Sequence, residues 1–355
     1  MSFYIKYKNP VRNILIQGDN LKGLDYLLTK EKLSGKIDLV YIDPPFATGG
    51  NFTITDGRAT TISNSKKGDI AYSDTLKGRD FIEFLKARLI LIKELLSKEG
   101  SIYLHIDYKI GHYVKVMMDE VFGVENFRND ITRVKCNPKN FERVGYGNMK
   151  DLILFYTKSA DPIWNEPKEK YTKKDLEKLF PKTNKQGRKY TTVPIHAPGE
   201  TKKGNSSKPF KGILPPKGRH WRTDVETLEK WDSEGLIEWT STGNPRKIIY
   251  ADEREGKRVQ DIWKYKDPQY PDYPTEKNAD LLDLIIKTSS KKNSLVLDCF
   301  CGSGTTLKSA QINNRQWIGI DQSDLAIRAT KNKLEAIEGD LFIEKPEYEF
   351  ITICE

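Results

Sequence analysis

The sequence predicts an α/β protein built on a doubly wound, mostly parallel sheet and interrupted by a basic insertion. Three observations predict it. Near-continuous apolar runs, as in KIDLVYID (36–43) and SLVLDCF (294–300), suit strands buried on both faces. Amphipathic stretches with helical spacing separate those runs. The alternation stops near residue 160 and resumes near residue 260. The chain therefore divides into residues 1–160, an insertion over 161–260, and residues 261–355.

The elements follow in order. NILIQGD (13–19) is a short strand ending on Gly-Asp, and LKGLDYLLTKEKL has helical spacing. KIDLVYID is the next strand. Residues 47–75 are polar, rich in Gly, Thr and Ser, and without periodicity, which predicts a long mobile loop. RDFIEFLKARLILIKELLSKEG (79–100) reads as one amphipathic helix, with lysine in its last turn and Gly100 at its end. SIYLHID (101–107) is a strand, GHYVKVMMDEVFG a helix, and NDITRVK and DLILFYTKS two more strands. Within the insertion, a helix is expected from Asp224 to Trp231, with strand-like pieces at 236–240 and 246–250. After it, TEKNADLLDLIIKTSS is a helix with Thr275 as N-cap. SLVLDCF is a strand, GSGTTLKSAQINN turns into a helix, QWIGID is a strand, and SDLAIRATKNKLEAI is a capped helix.

Composition narrows the function classes. Hydrophobic content of 37% in 355 residues is enough for a real core and excludes a disordered chain. No apolar run approaches the roughly 20 residues of a membrane helix. The N-terminus has no apolar signal region, so a cytoplasmic protein without a membrane partner is expected. Cys136, Cys299, Cys301 and Cys354 form no C-x-x-C pair, so free thiols are expected rather than a metal site or a disulfide framework. The net charge is +9, and residues 165–215 hold 13 Lys/Arg against 5 Asp/Glu, nearly the whole excess. That stretch reads either as a solvated insertion or as a groove that neutralises phosphates. Trp221, Trp231 and Trp239 suit a small aromatic core for it. His105 and His112 lack a paired nucleophile or ligand spacing, so packing or surface roles are expected of them.

LVLDCFCGSGTT sets a strand, an acid and then Gly302 and Gly304 before a helix. Glycines there let backbone approach a ligand closely. The absence of Gly-Lys-Ser/Thr disfavours a P-loop. The full G-x-G-x-x-G is also missing, because Thr305 and Thr306 follow the second glycine. Asp298 beside the turn repels anions and suits a cationic ligand. Asp321 closes the next strand, about 20 residues on, where an acid can take ribose hydroxyls. S-adenosylmethionine, with an α-amino group and a sulfonium, has the matching charges.

DPPF (43–46) together with FCGSGTT (300–306) resembles the amino-group DNA methyltransferases, which methylate an exocyclic base nitrogen from S-adenosylmethionine. The catalytic motif precedes the cofactor motif, with the variable segment between them, as in the circularly permuted β class. QGDN (17–20), DIW (261–263), YPTEKNADLLDLII and RQWIGID also match family elements, so the resemblance covers about 1–160 and 260–355. Cys299 and Asn278 stand where the family usually has proline, and Phe46 where tyrosine is commoner. The resemblance implies a circularly permuted Rossmann-like methyltransferase sheet with an inserted target-recognition domain. It implies catalytic roles for Asp43, Pro44, Pro45 and Phe46. It implies cofactor binding by Asp19, Asn20, Asp43, Thr275, Lys277, Asp298, Phe300, Gly302, Ser303, Gly304, Thr305 and Asp321, with no metal. Aspartate in the first motif position goes mostly with adenine N6. Cytosine N4, or a catalytically silent DNA-binding specificity subunit, is the alternative. Double-stranded DNA is the expected partner, and a restriction endonuclease and a second copy of the chain are further partners the resemblance allows.

Overall fold

The computed structural model describes residues 13–45, 51–55, 58–60, 69–73, 78–138, 142, 144–201, 204–268, 276–337 and 346–353. Two compact units divide the chain: Met1–Pro167 with Gln260–Glu355, and Lys168–Val259. The segment 161–167 thus goes with the larger unit. Ile163 is buried there, and its amide bonds the Glu99 carbonyl.

The larger unit is built on a nine-stranded sheet. In chain order the strands are β1 (Asn13–Gln17), β2 (Ile37–Ile42), β3 (Leu96–Ile106), β4 (Phe127–Val134), β5 (Lys150–Thr157), β6 (Ile262–Trp263), β7 (Leu295–Asp298), β8 (Gln316–Asp321) and β9 (Tyr348–Thr352). Their spatial order is β6-β4-β5-β3-β2-β7-β8-β1-β9. Every strand is parallel to its neighbours except β5, which runs antiparallel to β3 and β4. The N-terminal β1 lies between β8 and β9, beyond the strand that carries the glycine turn. The two sequence halves therefore complete one sheet, as a permuted order requires. Helices α1 (Asn20–Thr29), α2 (Arg79–Leu95), α3 (Tyr108–Phe122), α6 (Ala279–Ser289), α7 (Thr305–Ile312) and α8 (Asp324–Glu335) belong to this unit. Central strands such as β2 and β7 are buried almost throughout, which explains their near-continuous apolar runs.

Lys168–Val259 carries α4 (Lys173–Leu179) and α5 (Val225–Ser233) and a four-stranded antiparallel sheet. That sheet is ordered Lys182–Thr183, Lys189–Pro194, Pro245–Tyr250, Ile237–Trp239. Its core is Ile195, Phe210, Trp221 and Leu228, with Trp231 packed on it. Trp239 stacks on Phe210 with ring centroids 5.7 Å apart.

Several expectations are corrected. The helix expected over 79–100 ends at Leu95, and Leu96 is extended and pairs with Ile37 as the first residue of β3. Leu96 is buried, so tertiary pairing overrides the helical periodicity there. Gly100 is therefore a strand residue and not a helix end. A Cβ on it would meet the Ile37 carbonyl oxygen at 2.9 Å. Asn278, not Thr275, caps α6, because its side-chain oxygen accepts from the amides of Asp280 and Leu281. In the stretch expected to be a loop, the backbones of 51–55, 58–60 and 69–73 pair as an antiparallel sheet, and the rest lies outside the described residues. The edge strand β9 is not among the elements expected from the sequence.

Candidate active site

Four acids stand at the carboxyl ends of four adjacent parallel strands. Asp43 follows β2, Asp298 ends β7, Asp321 ends β8, and Asp19 follows β1. The register fixes their proximity. Val40 pairs with Leu297, Asp298 with Gly319, and Gln17 with Asp321. In open α/β sheets, ligands bind outside such strand ends, where the strand order reverses.

Asp43 is held through one of its two carboxylate oxygens. Lys277 Nζ lies 2.6 Å from its Oδ2. Its Oδ1 is buried and has no hydrogen-bond partner among the described residues, and His105 Nδ1 is 3.7 Å away. Pro44 is buried and Pro45 half-buried. Neither has an N–H, so this turn offers acceptors only. Phe46 and Thr275 lie outside the described residues.

Asp298 is buried and accepts from Thr306 Oγ1 at 2.6 Å and from the Phe300 amide at 3.0 Å. Burial pushes its carboxyl up to about 7, against those two hydrogen bonds and with help from the charges of Asp43 and Asp321. The next turn is closed by Asp321, whose oxygens accept from the amides of Gly302 (2.9 Å) and Ser323 (2.9 Å). Burial raises its carboxyl too. Gly304 has φ +73°, and a Cβ on it would meet Thr330 at 2.8 Å, so glycine is required there. Ser303 and Thr305 are buried and share one cation, because Lys333 Nζ donates to both hydroxyls at 2.9 Å while pairing with Glu276. The charges of the TEK segment thus separate: Glu276 goes to Lys333 and Lys277 to Asp43.

Asp19 caps α1 by accepting from the Lys22 amide. Its other oxygen takes Arg88 at 3.1 Å. Asn20 donates to the Cys299 carbonyl and accepts from Arg88. The Arg88 guanidinium also stacks 3.5 Å over Phe84, whose ring lies against Phe300. The site residues that the resemblance implies, within the described range, therefore lie at or beside these four strand ends or contact them.

Some partners were not singled out from the sequence. Arg88 had a signal, because it is a cation on the buried stripe Phe81, Leu85, Leu89, Ile92 of α2. Lys333, Asp151 and Arg133 had none, since their partners are distant in sequence. His105 is buried, as a packing role requires, but it also bridges Tyr41, Asp43 and Asp151.

The donor set fits S-adenosylmethionine. Its ammonium and sulfonium call for anions, which the strand-end carboxylates could supply. Lys333 with two hydroxyls provides for a carboxylate, and the φ-positive turn keeps side chains clear of the approach. Among the described residues, no cluster of three or more His, Cys, Asp or Glu is placed to hold a metal ion. No described helix is long and apolar enough to cross a membrane.

A family model described as DNA methylase, that of the N6/N4 methyltransferases, matches residues 37–332. The chain is 39% identical over 327 residues to the type II methyltransferase M.EcaI of Enterobacter cloacae, covering 90% of this chain and 69% of that one. It is 26% identical to the type III restriction-modification enzyme StyLTI Mod subunit of Salmonella typhimurium, covering 86% of this chain and 50% of the relative. The chain thus spans only about half the length of that Mod subunit. Among solved structures, the cytosine-N4-specific PvuII DNA methyltransferase superposes with a TM-score of 0.51 at 12% identity, covering 96% of this chain and 95% of the other, a likeness of fold. With a family model matching residues 37–332 and a relative 39% identical over 90% of its length, this chain belongs to the N6/N4 DNA methylase family.

Proposed function

We propose that the chain transfers a methyl group from S-adenosylmethionine to the N6 amino group of an adenine flipped out of duplex DNA. The observation that carries this reading is Asp43. Its Oδ2 is fixed by Lys277, and its Oδ1 is buried and unpartnered beside two prolines without donors. An exocyclic amino nitrogen is a poor nucleophile, because its lone pair is delocalised into the ring. Asp43 Oδ1 accepts one amino hydrogen and the Pro44 carbonyl the other, which localises the lone pair. The bound cofactor supplies an electrophilic methyl on a sulfonium. Asp298 meets its cationic part, Asp321 its ribose, Asp19 and Asn20 its adenine, and Lys333, Ser303 and Thr305 its carboxylate. Phe46 stacks on the flipped base, returning roughly 1–3 kcal/mol of the unstacking cost. Holding nitrogen and methyl in line supplies most of the rate.

The unit Lys168–Val259, which holds nearly all of the basic stretch 165–215, is the proposed target reader. The names of the relatives support a place in a restriction-modification system, with an endonuclease partner and a homodimer as parts of the same proposal.

The test is incubation with labelled S-adenosylmethionine and mixed-sequence duplex DNA, followed by nucleoside mass spectrometry. N6-methyladenine is expected, and Asp43→Ala abolishes it. N4-methylcytosine would keep the mechanism and change the base. Bound cofactor with no methylated nucleoside would mark a silent DNA-binding subunit.

A further inference from the structure

Behind Asp43 a buried polar chain runs across the sheet. His105, on β3, is fully buried. Its Nδ1 lies 3.0 Å from the Tyr41 hydroxyl and 3.7 Å from Asp43 Oδ1. Its Nε2 lies 3.3 Å from Asp151 Oδ2 on β5. Lys135 holds the other oxygen of Asp151 at 2.6 Å, and Arg133 Nη1 stands 3.7 Å from Oδ2. Arg133 is itself pinned by the Tyr265 carbonyl and by Asp267. Lys277, on the far side of Asp43, is a further charge facing the ring.

The network assigns the tautomer. Asp151 is ionised: burial would raise its carboxyl, but the bonds from His105 and Lys135 more than offset this and hold it below the usual carboxylate range. An ionised carboxylate only accepts, so Nε2 carries the hydrogen and Nδ1 presents a lone pair. Burial lowers the imidazole, against Asp43 and Asp151 and with help from Lys277 and Arg133, so the ring is neutral at neutral pH. Tyr41 O–H therefore donates to Nδ1, and Asp43 Oδ1 receives no hydrogen from the ring. An acceptor without a donor thus faces a base held by a buried carboxylate.

Taking Asp43 as the amino acceptor, as proposed above, we propose that His105 is the second member of a proton exit: Asp43 Oδ1 takes the amino proton and passes it to His105 Nδ1, with Asp151 stabilising the imidazolium. The balance is complete. The amino lone pair forms the N–C bond, and the sulfonium's C–S pair returns to sulfur. The nitrogen, now cationic, loses one hydrogen and keeps that N–H pair. The proton moves to Asp43 Oδ1 and then to Nδ1, which leaves Asp43 anionic again and His105 cationic until solvent takes the proton. The Tyr41 hydroxyl must turn away from Nδ1 during the transfer. The 3.7 Å gap is about 0.8 Å longer than an ordinary N–H···O bond, as often found before substrate is bound.

The test uses the full chain, S-adenosylmethionine and mixed-sequence duplex DNA, with single-turnover methylation followed from acid to alkaline pH. Melting temperature and calorimetric cofactor binding check each variant. His105→Asn is expected to slow transfer roughly 100-fold or more, the lower range of general base catalysis, with cofactor affinity retained and the acid limb of the wild-type profile lost. Tyr41→Phe removes only the hydroxyl that stabilises neutral imidazole, so the acid limb moves to higher pH. It carries the test if His105→Asn does not fold. Wild-type rates in His105→Asn, or an acid limb unmoved in both variants, would overturn the relay while leaving the methyl transfer intact. If the wild type methylates nothing, or Asp43→Ala keeps full activity, the reading of Asp43 fails and the relay falls with it.

Discussion

Asp298→Asn should make the cofactor-free protein more stable at alkaline pH and leave it nearly unchanged at acid pH. Asp298 is 2% exposed, and its carboxyl is pushed up to about 7 from an ordinary 3.8, mainly by burial. A carboxyl raised by folding favours the protonated form in the native state. Its contribution is therefore fully present below pH 4 and is lost as pH rises through about 7. The difference between 3.8 and about 7 corresponds to roughly 4 kcal/mol. Asparagine has the same shape and no charge. Its oxygen keeps the Phe300 amide, and its amide can donate to Thr306 Oγ1. The stability gap between variant and wild type should thus open by about 4 kcal/mol between pH 4 and pH 8, or a melting shift of roughly 8–16 °C for a unit of this size. Thermal melts of both proteins at pH 4, 6 and 8 measure it. A gap that stays constant across that range would refute the argument that this acid is held strained at the strand edge. A cofactor ammonium should also draw the proton off Asp298. Calorimetry near pH 6 in two buffers of different ionisation enthalpy should therefore show proton release in the wild type and not in the variant.

Two further predictions address the turn and the insertion. Gly304→Ala places a Cβ at φ +73° and within 2.8 Å of Thr330, so it should cost at least about 1–2 kcal/mol and weaken S-adenosylmethionine binding; wild-type melting and affinity would contradict this. Trp221→Ala removes the largest buried ring of the smaller unit, a loss of about 3–5 kcal/mol. Duplex DNA affinity should drop while calorimetric cofactor binding persists, and unchanged DNA affinity would count against the insertion as reader.

Much of this protein was legible in the chain itself. Strands β2 and β7 show near-continuous apolar runs because both faces are covered. Each runs into an acid at its carboxyl end, Asp43 just after β2 and Asp298 as the last residue of β7, where polar groups can meet a ligand. The motif order DPPF before FCGSGTT carried the permutation, and β1 beside β8 is its structural expression. What local pattern could not supply was pairing. Nothing in the helical spacing of 79–100 says that Leu96 leaves α2 to pair with Ile37, because that choice depends on a neighbouring strand far away in sequence. Likewise Lys277 on Asp43, Lys333 on Ser303 and Thr305, and Asp151 on His105 are contacts between residues dozens to hundreds of positions apart. The sequence by itself determined which residue types stand at the strand ends. Only the tertiary structure decided which cation neutralises which acid, because that depends on which side chains the sheet buries together.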